Sequence, residues 1–256
     1  MTETFQNLSQ ASPSQTPLAM PVLYRRPRAL EPGRYGSKSL GEIQTFDFAR
    51  GTNSVPVNAV EFPNAMRSYP IVFTAAEPLA ALAVLGSRDG QNLFVTASGK
   101  WLDDAYVPAY VKRYPFIFVE HDGGNQLVLC VDDASNLIID GNSRPLFIDG
   151  APSEVVREGL AACGEYQTQY NITREFIAAL QTHQLLVSSQ IQISTPGNEN
   201  LSLAGFRVVD QVKFNALPDE VFLAWRKRGW LPLVYCHLMS LMNWGRIASL
   251  TAAKRA

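Results

Sequence analysis

The chain has 256 residues, of which 46% are hydrophobic and 18% charged, and its formal net charge is -1. This composition is typical of a folded globular protein and excludes a largely disordered chain. A net charge so close to zero creates no overall field that would attract nucleic acid or an anionic membrane. We therefore expect neither nucleic acid nor a charged lipid surface as a partner.

The first part of the chain has few signs of regular structure. Residues 1–20 are rich in Gln, Ser, Thr and Pro, which predicts a disordered tail, and they do not resemble a secretory signal. Residues 22–40 show no clear periodicity, which indicates an extended arm across the surface. Cys130, Cys163 and Cys236 are far apart, a pattern that favours buried, reduced thiols and a cytoplasmic protein.

Two segments of the following part are similar to each other. Residues 63–73 read PNAMRSYPIVF, and residues 108–118 read PAYVKRYPFIF, so the two align without a gap. The similarity predicts an internal repeat, with one unit at about 58–100 and the other at about 103–145. We expect the two units to pack face to face, because neither alone could bury its apolar side.

Residues 21–150 are predicted to form a β-rich unit that contains this repeat. Short apolar runs alternate there with turn signals rich in Asp and Gly. The predicted strands are 71–73, 82–85, 93–95, 116–119, 127–131 and 137–139. Their spacing favours a compact sheet or barrel over alternating strands and helices. In each repeat, the proline of the Tyr-Pro pair is expected to end a helical turn and to begin a strand.

Residues 151–256 are predicted to be mostly helical, with one β-hairpin around residues 196–198. Apolar side chains recur at helical spacing from 156 to 180, and Leu160 is one of them. The predicted helices run from Pro152 to Leu180, from Pro218 to Gly229 and from about Pro232 to Leu250. No segment is suited to span a membrane. The fold class is therefore α+β, and the helical part is expected to pack on the β-rich unit as one globule.

Sequence signatures of common enzyme classes are absent. The chain has no glycine-rich phosphate loop, no Gly-x-Ser-x-Gly motif and no Cys-x-x-Cys pair. The densest titratable cluster, Glu120-His121-Asp122, precedes two glycines, where a solvated turn is the simpler interpretation. We expect no cofactor and no metal, and we assign no catalytic residue.

One stretch of the second repeat concentrates aromatic and charged side chains. It is the predicted binding surface, formed by Trp101, Asp103, Asp104, Tyr106, Tyr110, Lys112, Arg113 and Tyr114. The first repeat is plainer at the matching positions, because Tyr106 corresponds to Glu61 and Tyr110 to Ala65. Aromatic side chains beside Arg or Lys suit the recognition of peptides and protein surfaces. The alternative is that the aromatic side chains fill the interior between the β-rich and helical parts.

Several segments of the chain resemble the SapC family of bacterial proteins. The segments are GTNSVP (51–56), EFP (61–63), YPIVF (69–73), DGQNLFV (89–95), Trp101, YVP (106–108), RYPF (113–116), LAGF (203–206), Val209-Asp210, LPDE (217–220) and YCHLMSL (235–241). The resemblance covers roughly residues 22–250. The family name implies association with a surface layer, and the frequent location of members' genes near those of outer-membrane receptors and flavin-dependent halogenases implies an accessory role. The resemblance supplies no agreed catalytic residues to assign here.

Three functions are compatible with the sequence. The first is a non-enzymatic accessory or binding protein that recognises a protein or peptide partner, favoured by the absence of catalytic motifs and by a groove between duplicated units. The second is an enzyme of unrecognised type, with Glu120, His121, Asp103 or Asp104 around a central pocket. The third is a structural protein of a surface layer, for which no export signal is visible.

Overall fold

The computed structural model describes residues 21–121, 126–194 and 200–254. The predicted tail and the two remaining gaps, which include the turns predicted at 122–124 and 196–198, lie outside the described residues. Strands dominate the first half of the described chain and helices the second half, which also carries one hairpin. The predicted α+β class is therefore confirmed. The sheets formed by the described residues do not close into a barrel.

Twelve strands and eight helices are formed by the described residues. The strands are β1 Pro27–Ala29, β2 Lys38–Leu40, β3 Ser54–Pro56, β4 Ile71–Thr74, β5 Ala81–Val84, β6 Phe116–His121, β7 Gln126–Asp132, β8 Ile138–Asp140, β9 Phe147–Ile148, β10 Ala151–Pro152, β11 Leu186–Ser194 and β12 Asn200–Val209. The helices are α1 Pro32–Tyr35, α2 Phe62–Ala65, α3 Ala109–Lys112, α4 Glu154–Thr182, α5 Gln211–Asn215, α6 Asp219–Lys227, α7 Trp230–Ser240 and α8 Trp244–Ala253. Within these residues, no helix combines the length and the apolar character needed to cross a bilayer.

Two sheets hold the two repeats. One sheet has the strand order β11-β12-β4-β5-β3, and the other has the order β1-β7-β6. The hairpin β4–β5 of the first repeat therefore lies in one sheet, and the hairpin β6–β7 of the second repeat lies in the other. The C-terminal hairpin β11–β12 joins the first of these sheets through β4. The β-rich and helical halves of the chain thus share a sheet.

The internal repeat is visible in the order of its elements. Each unit contains a short helix, a Tyr-Pro pair and an antiparallel hairpin. The Pro70 carbonyl accepts a hydrogen bond from the Val84 N–H at 3.0 Å, and the Pro115 carbonyl accepts one from the Asp132 N–H at 3.0 Å. Both Tyr-Pro pairs therefore precede the first strand of a hairpin, as the sequence predicts.

One predicted strand is a loop. The apolar run 93–95 forms only a single bridge, between Val95 and Trp101, although its side chains are buried. Asn92 explains the difference, because its Oδ1 accepts the Phe94 N–H at 2.9 Å and so uses a donor that a sheet would need. The apolar residues are therefore buried without a strand.

Three further predictions are wrong in detail. Residues 22–40 are not a surface arm, because they form β1, α1 and β2 and bury Tyr24 and Tyr35. The helix predicted from Pro232 to Leu250 is divided into α7 and α8 by a 3-10 turn. In α4, the predicted apolar face is largely buried, but Leu160 is 49% exposed.

Helix α4 packs across the β-rich half of the chain. A single cluster of buried side chains extends from Tyr24 to Ile247 and includes residues of both halves. Gly159 permits close packing on β6, because a Cβ atom added there would lie 2.9 Å from the ring of Phe116. The three cysteines are buried free thiols, as the sequence predicts.

His237 of α7 joins two strands that pair only briefly. Strands β4 and β12 share two residue pairs. The Nε2 atom of His237 accepts the Val209 N–H at 3.0 Å, and its Nδ1 atom lies 2.9 Å from the Ile71 carbonyl, to which the neutral ring can donate. Ser240, one turn later, accepts the Ile71 N–H at 2.9 Å. Burial lowers the pKa of His237 to about 4, so the ring is neutral at pH 7.

Two glycines of α4 provide a matched test of this packing. We expect Gly159→Ala to lower the free energy of unfolding by ~1–3 kcal/mol, because the Phe116 ring must move to accept the new methyl group. Gly164→Ala places its methyl group in open space, so helix propensity is expected to raise the free energy of unfolding by up to ~1 kcal/mol. Urea denaturation measures both. A Gly159→Ala variant as stable as Gly164→Ala would contradict the contact between α4 and β6.

The His237 pKa predicts a pH dependence of stability. Between pH 6.5 and about 4, the unfolded chain binds a proton at this position and the folded protein does not, so stability falls as the pH falls. The loss amounts to ~3 kcal/mol over this window. His237→Gln removes the titration, so its stability deficit relative to the wild type is expected to be largest near pH 7 and to shrink towards pH 4. Urea denaturation across this range checks the expectation, and a deficit that is constant with pH would refute it.

Candidate functional site

The predicted binding surface is divided between the interior and the surface. The buried members, each 5% exposed, are Trp101, Tyr110 and Tyr114. The accessible members are Asp103, Asp104, Tyr106, Lys112 and Arg113. The three buried aromatic side chains fill the interior, as the alternative interpretation proposed. A partner can directly reach only the five accessible members.

Trp101 anchors the loop that precedes α3. Its Nε1–H donates a hydrogen bond to the Tyr69 hydroxyl at 2.9 Å, and that hydroxyl in turn donates to the Tyr106 carbonyl. The indole also packs edge-on against the ring of Phe46, with ring centroids 5.5 Å apart. Trp101 therefore connects the first repeat to the loop that carries Asp103 and Tyr106.

Tyr114 holds the N-terminal strand against the second repeat. Its ring stacks on Phe48 with the centroids 4.0 Å apart, and its hydroxyl donates to Asp132 Oδ2 at 2.9 Å. Burial raises the pKa of Tyr114 to about 12, so the hydroxyl keeps its proton at pH 7. Asp132 is fully buried and also accepts the backbone N–H groups of Arg25 and Arg26. Tyr114 and Asp132 together fix the chain that leads to Tyr24.

A cleft lies between α3 and α4, and it contains two cavities. The first, of about 250 Å³, is called the apolar cavity after the Leu, Ile and Val side chains on one side of it, and its lining residues are Leu40, Gly41, Ile43, Lys112, Arg113, Tyr114, Pro115, Phe116, Leu137, Arg144, Val155, Glu158, Gly159 and Ala162. The second, of about 360 Å³, is called the polar cavity after its Asn, Glu and Gln side chains, and its lining residues are Asn58, Val60, Glu61, Tyr106, Ala109, Lys112, Arg113, Ala162, Glu165, Tyr166 and Gln169. The two cavities share Lys112, Arg113 and Ala162. We call the whole depression the α3–α4 cleft.

Arg113 lies among three tyrosine rings at the wall of this cleft. Its Cζ atom is 4.0 Å from the ring centroid of Tyr166, 4.4 Å from that of Tyr110 and 6.0 Å from that of Tyr24. These distances permit cation–π attraction. The Nε atom is shielded from solvent and has no hydrogen-bond partner. Arg113 forms no ion pair with any carboxylate of the described residues.

The three tyrosines and the cysteine beside Arg113 carry no negative charge. Burial raises the pKa values of Tyr24, Tyr110 and Tyr166, so all three phenols are neutral at pH 7. Burial also raises the pKa of the nearby Cys163 thiol to about 11, although the arginine acts in the opposite direction. The guanidinium is therefore a cation in a largely enclosed position whose immediate neighbours are neutral.

Glu61 lies in the polar cavity, but its oxygens are already occupied. Its carboxylate is 4% exposed and accepts the N–H groups of Asn58 at 2.8 Å and Ala109 at 2.7 Å. The Tyr106 hydroxyl donates a third hydrogen bond to it at 3.1 Å. The Lys112 ammonium lies 4.9 Å from the Tyr106 ring centroid. Glu61 therefore stabilises the loop and the start of α3, and it forms no ion pair with Arg113.

Asp103 and Asp104 lie in a separate shallow pocket that adjoins the cleft. Its lining residues are Asn64, Arg67, Ser68, Asp103, Asp104, Ala105 and Tyr106. Asp104 Oδ1 is 2.7 Å from Arg246 Nη2, so this carboxylate has an ion-pair partner. Tyr106 lines both this pocket and the polar cavity, which makes the accessible members of the predicted surface continuous.

In the described part of the chain, the candidate catalytic residues of the enzyme hypothesis do not lie together in one site. Glu120 is exposed on β6 and lines neither the α3–α4 cleft nor the pocket of Asp103. The His121 side chain and Asp122 lie outside the described part of the structure. Among the side chains that the structure describes, no group of three or more His, Cys, Asp or Glu is arranged to hold a metal ion.

Several residues that line the cleft or pack around Arg113 are missing from the predicted surface. Tyr24 comes from a segment without periodicity, and Tyr166 reads in the sequence as part of the apolar face of α4. Glu165 and Gln169 lie on the same helix, joined by a hydrogen bond of 2.8 Å. Tyr106, Tyr114 and the Lys112-Arg113 pair of the predicted surface line this cleft, but they do not indicate the contributions from α4.

The comparisons with known proteins identify a family. The model of the SapC family matches residues 30–247, which include both repeats, α4 and the C-terminal hairpin. No curated protein and no solved structure matches the chain. The match agrees with the resemblance found in the sequence.

Trp101 and Asp103 provide a test of the division between interior and surface. We expect Trp101→Ala to lower the free energy of unfolding by ~3–5 kcal/mol, because it leaves a cavity and removes the donor to Tyr69. Asp103→Ala, two residues away on the surface, is expected to change it by less than ~0.5 kcal/mol. Chemical denaturation compares the two variants. Equal losses of stability would show that the burial assigned to Trp101 is wrong.

Proposed function

Because the chain belongs to the SapC family, we propose that it is a non-enzymatic accessory protein that binds a peptide segment of a protein partner in the α3–α4 cleft. The observation that carries the proposal is Arg113, a largely enclosed cation at the wall of an accessible cleft that forms no ion pair with a carboxylate of the described residues. An enclosed charge without a counter-ion costs folding free energy. A ligand that supplies a counter-ion explains why the residue is tolerated there.

The shape of the cleft suits a peptide. Its two adjacent cavities, of about 250 and 360 Å³, share one wall and differ in their other lining residues. Neighbouring side chains of a peptide can therefore enter different cavities. Arg and Tyr, which surround the shared wall, are the residue types that contribute most often to protein interfaces. The exposed residues Lys112 and Asp103 extend the surface on two sides.

The chemistry of the nearby groups supports binding over catalysis. The raised pKa of Cys163 leaves little thiolate at neutral pH, so the residue is a weak nucleophile. His237 is fully buried, and both of its ring nitrogens are engaged with the backbone. Glu61 is held by three hydrogen-bond donors, which keep its oxygens in place. Each of these groups has a structural role that accounts for its position.

A cytoplasmic location is part of the proposal. The three cysteines of the chain are all buried and free. Thiols in this state are compatible with a reducing compartment, where a folded protein gains nothing from a disulfide framework. The partner is accordingly expected to be a cytoplasmic protein or the cytoplasmic segment of a membrane protein.

Site-specific cross-linking tests the proposal. A photo-cross-linker attached to Lys112→Cys, at the rim of the cleft, is expected to capture one defined peptide segment in an extract of the native host. The same reagent on Lys227→Cys, exposed on α6, is the control. The native thiols are buried, so the introduced cysteine is the accessible one among the described residues. Mass spectrometry of the cross-linked peptide identifies the segment.

Arg113→Met in the Lys112→Cys background gives the decisive comparison. Removal of the guanidinium is expected to reduce specific capture about tenfold, which corresponds to ~1.4 kcal/mol of binding free energy. Equal capture from positions 112 and 227, or capture that is insensitive to Arg113→Met, would contradict peptide binding in the cleft.

A further inference from the structure

We infer that the ligand of the α3–α4 cleft presents a carboxylate to Arg113, an inference that rests on the proposed binding function. The first argument is the geometry of the side chain. The Nε and one Nη atom of an arginine form a planar fork that matches the two oxygens of a carboxylate. Arg113 lines both cavities of the cleft, and its Nε has no hydrogen-bond partner. A carboxylate that enters the cleft can pair with the part of the guanidinium that it reaches there.

The tyrosine rings prepare Arg113 for such a contact. The rings of Tyr166 and Tyr110 lie 4.0 and 4.4 Å from its Cζ atom, and Tyr24 lies on a chain segment fixed by Asp132. A guanidinium held in this way loses little conformational freedom when a ligand binds. The low polarity of the rings also strengthens an ion pair formed beside them.

The charges of the polar cavity favour a monoanion over a phosphate. Lys112 and Arg113 contribute two positive charges, and Glu61 and Glu165 contribute two negative charges. A singly charged carboxylate can pair with Arg113 in a cavity whose own charges cancel. A phosphate group, with a charge between about -1.5 and -2 at pH 7, would meet the two glutamates with more repulsion.

The neighbouring cavity indicates what the carboxylate is attached to. Leu40, Ile43, Leu137 and Val155 line the apolar cavity, which shares Arg113 with the polar cavity. An apolar side chain close to the carboxylate can therefore enter it. The C-terminal residue of a peptide has this arrangement, and so does an Asp or Glu side chain next to an apolar residue. The two sources share the carboxylate, and they can be separated by experiment.

Four small probes test the inference on the full-length protein. N-acetyl-Ala-Leu has a terminal carboxylate, N-acetyl-Ala-Leu-amide has none, N-acetyl-Leu-Asp-amide has only a side-chain carboxylate, and inorganic phosphate is the competing anion. NMR titration follows the Arg113 Nε–Hε resonance, which the Arg113→Met variant assigns. We expect at least one carboxylate peptide to shift this resonance and to bind about tenfold more tightly than the leucine amide.

Each outcome of the titration decides for or against the carboxylate. Tighter binding of N-acetyl-Ala-Leu indicates a peptide C-terminus, and tighter binding of N-acetyl-Leu-Asp-amide indicates an internal acidic residue. The inference is overturned if the leucine amide binds as tightly as both acids, if phosphate binds more tightly than they do, or if no probe shifts the Arg113 signal.

Variants separate a binding role of Arg113 from a structural one. Arg113→Met is expected to abolish carboxylate binding without lowering the melting temperature, because it removes an enclosed and unpaired charge. Arg113→Lys keeps the charge without the fork and is expected to weaken binding about tenfold. Arg174→Met removes another arginine near a tyrosine, on the far part of α4, and is expected to change neither property. A large fall in melting temperature in both Arg113 variants would make the residue structural and overturn the inference.

The two proposals can fail separately. If cross-linking captures a peptide segment but acid and amide probes bind equally, the binding function stands and the carboxylate is wrong. If the carboxylate probes bind but no segment is captured, the anion site stands and the peptide partner is wrong.

Discussion

The buried carboxylate of Glu61 is the interaction on which the cleft depends. It belongs to the first repeat, and it accepts hydrogen bonds from Tyr106 and from the first residue of α3 in the second repeat. The adjacent Ala59 N–H donates to Thr173 of α4 at 2.8 Å. One short turn thus fixes the loop, α3 and α4 relative to each other. Without these bonds the desolvated carboxylate would be unfavourable, so the three elements are stabilised together.

The two repeats use matching positions for different purposes. In the first repeat, Ser68 is buried, and its hydroxyl accepts the Tyr106 N–H at 3.1 Å. In the second repeat, the matching residue is Arg113, whose side chain reaches the cleft. Glu61 and Tyr106 also occupy matching positions, and they contact each other. The two similar segments therefore differ at the position that carries the cation of the cleft.

The local features of the fold could be predicted from the sequence, and the long-range ones could not. The Tyr-Pro pairs, the hairpins that follow them and α4 depend on proline geometry and on short periodicities, which are visible in any single chain. Burial of Trp101 and Tyr110 could not be distinguished from a role at an interface, because large aromatic residues with one polar atom suit both environments. The tyrosines around Arg113 come from three distant segments, and no spacing in the sequence connects them. The charged members of the predicted surface are at least partly exposed because charged side chains rarely enter a core.

The place of the C-terminal hairpin has a consequence for synthesis on the ribosome. Strand β4 pairs with β5 early in the chain, but its other edge is covered only by β12, and His237 and Ser240 complete that junction later still. A nascent chain that ends before these residues has an uncovered strand edge, which is a template for pairing with other chains. The family-matched segment reaches residue 247, just beyond this junction. The first sheet can therefore be completed only after residues 209, 237 and 240 have left the ribosome. A chaperone that shields β4 until then would assist the protein more than one that acts on its helices.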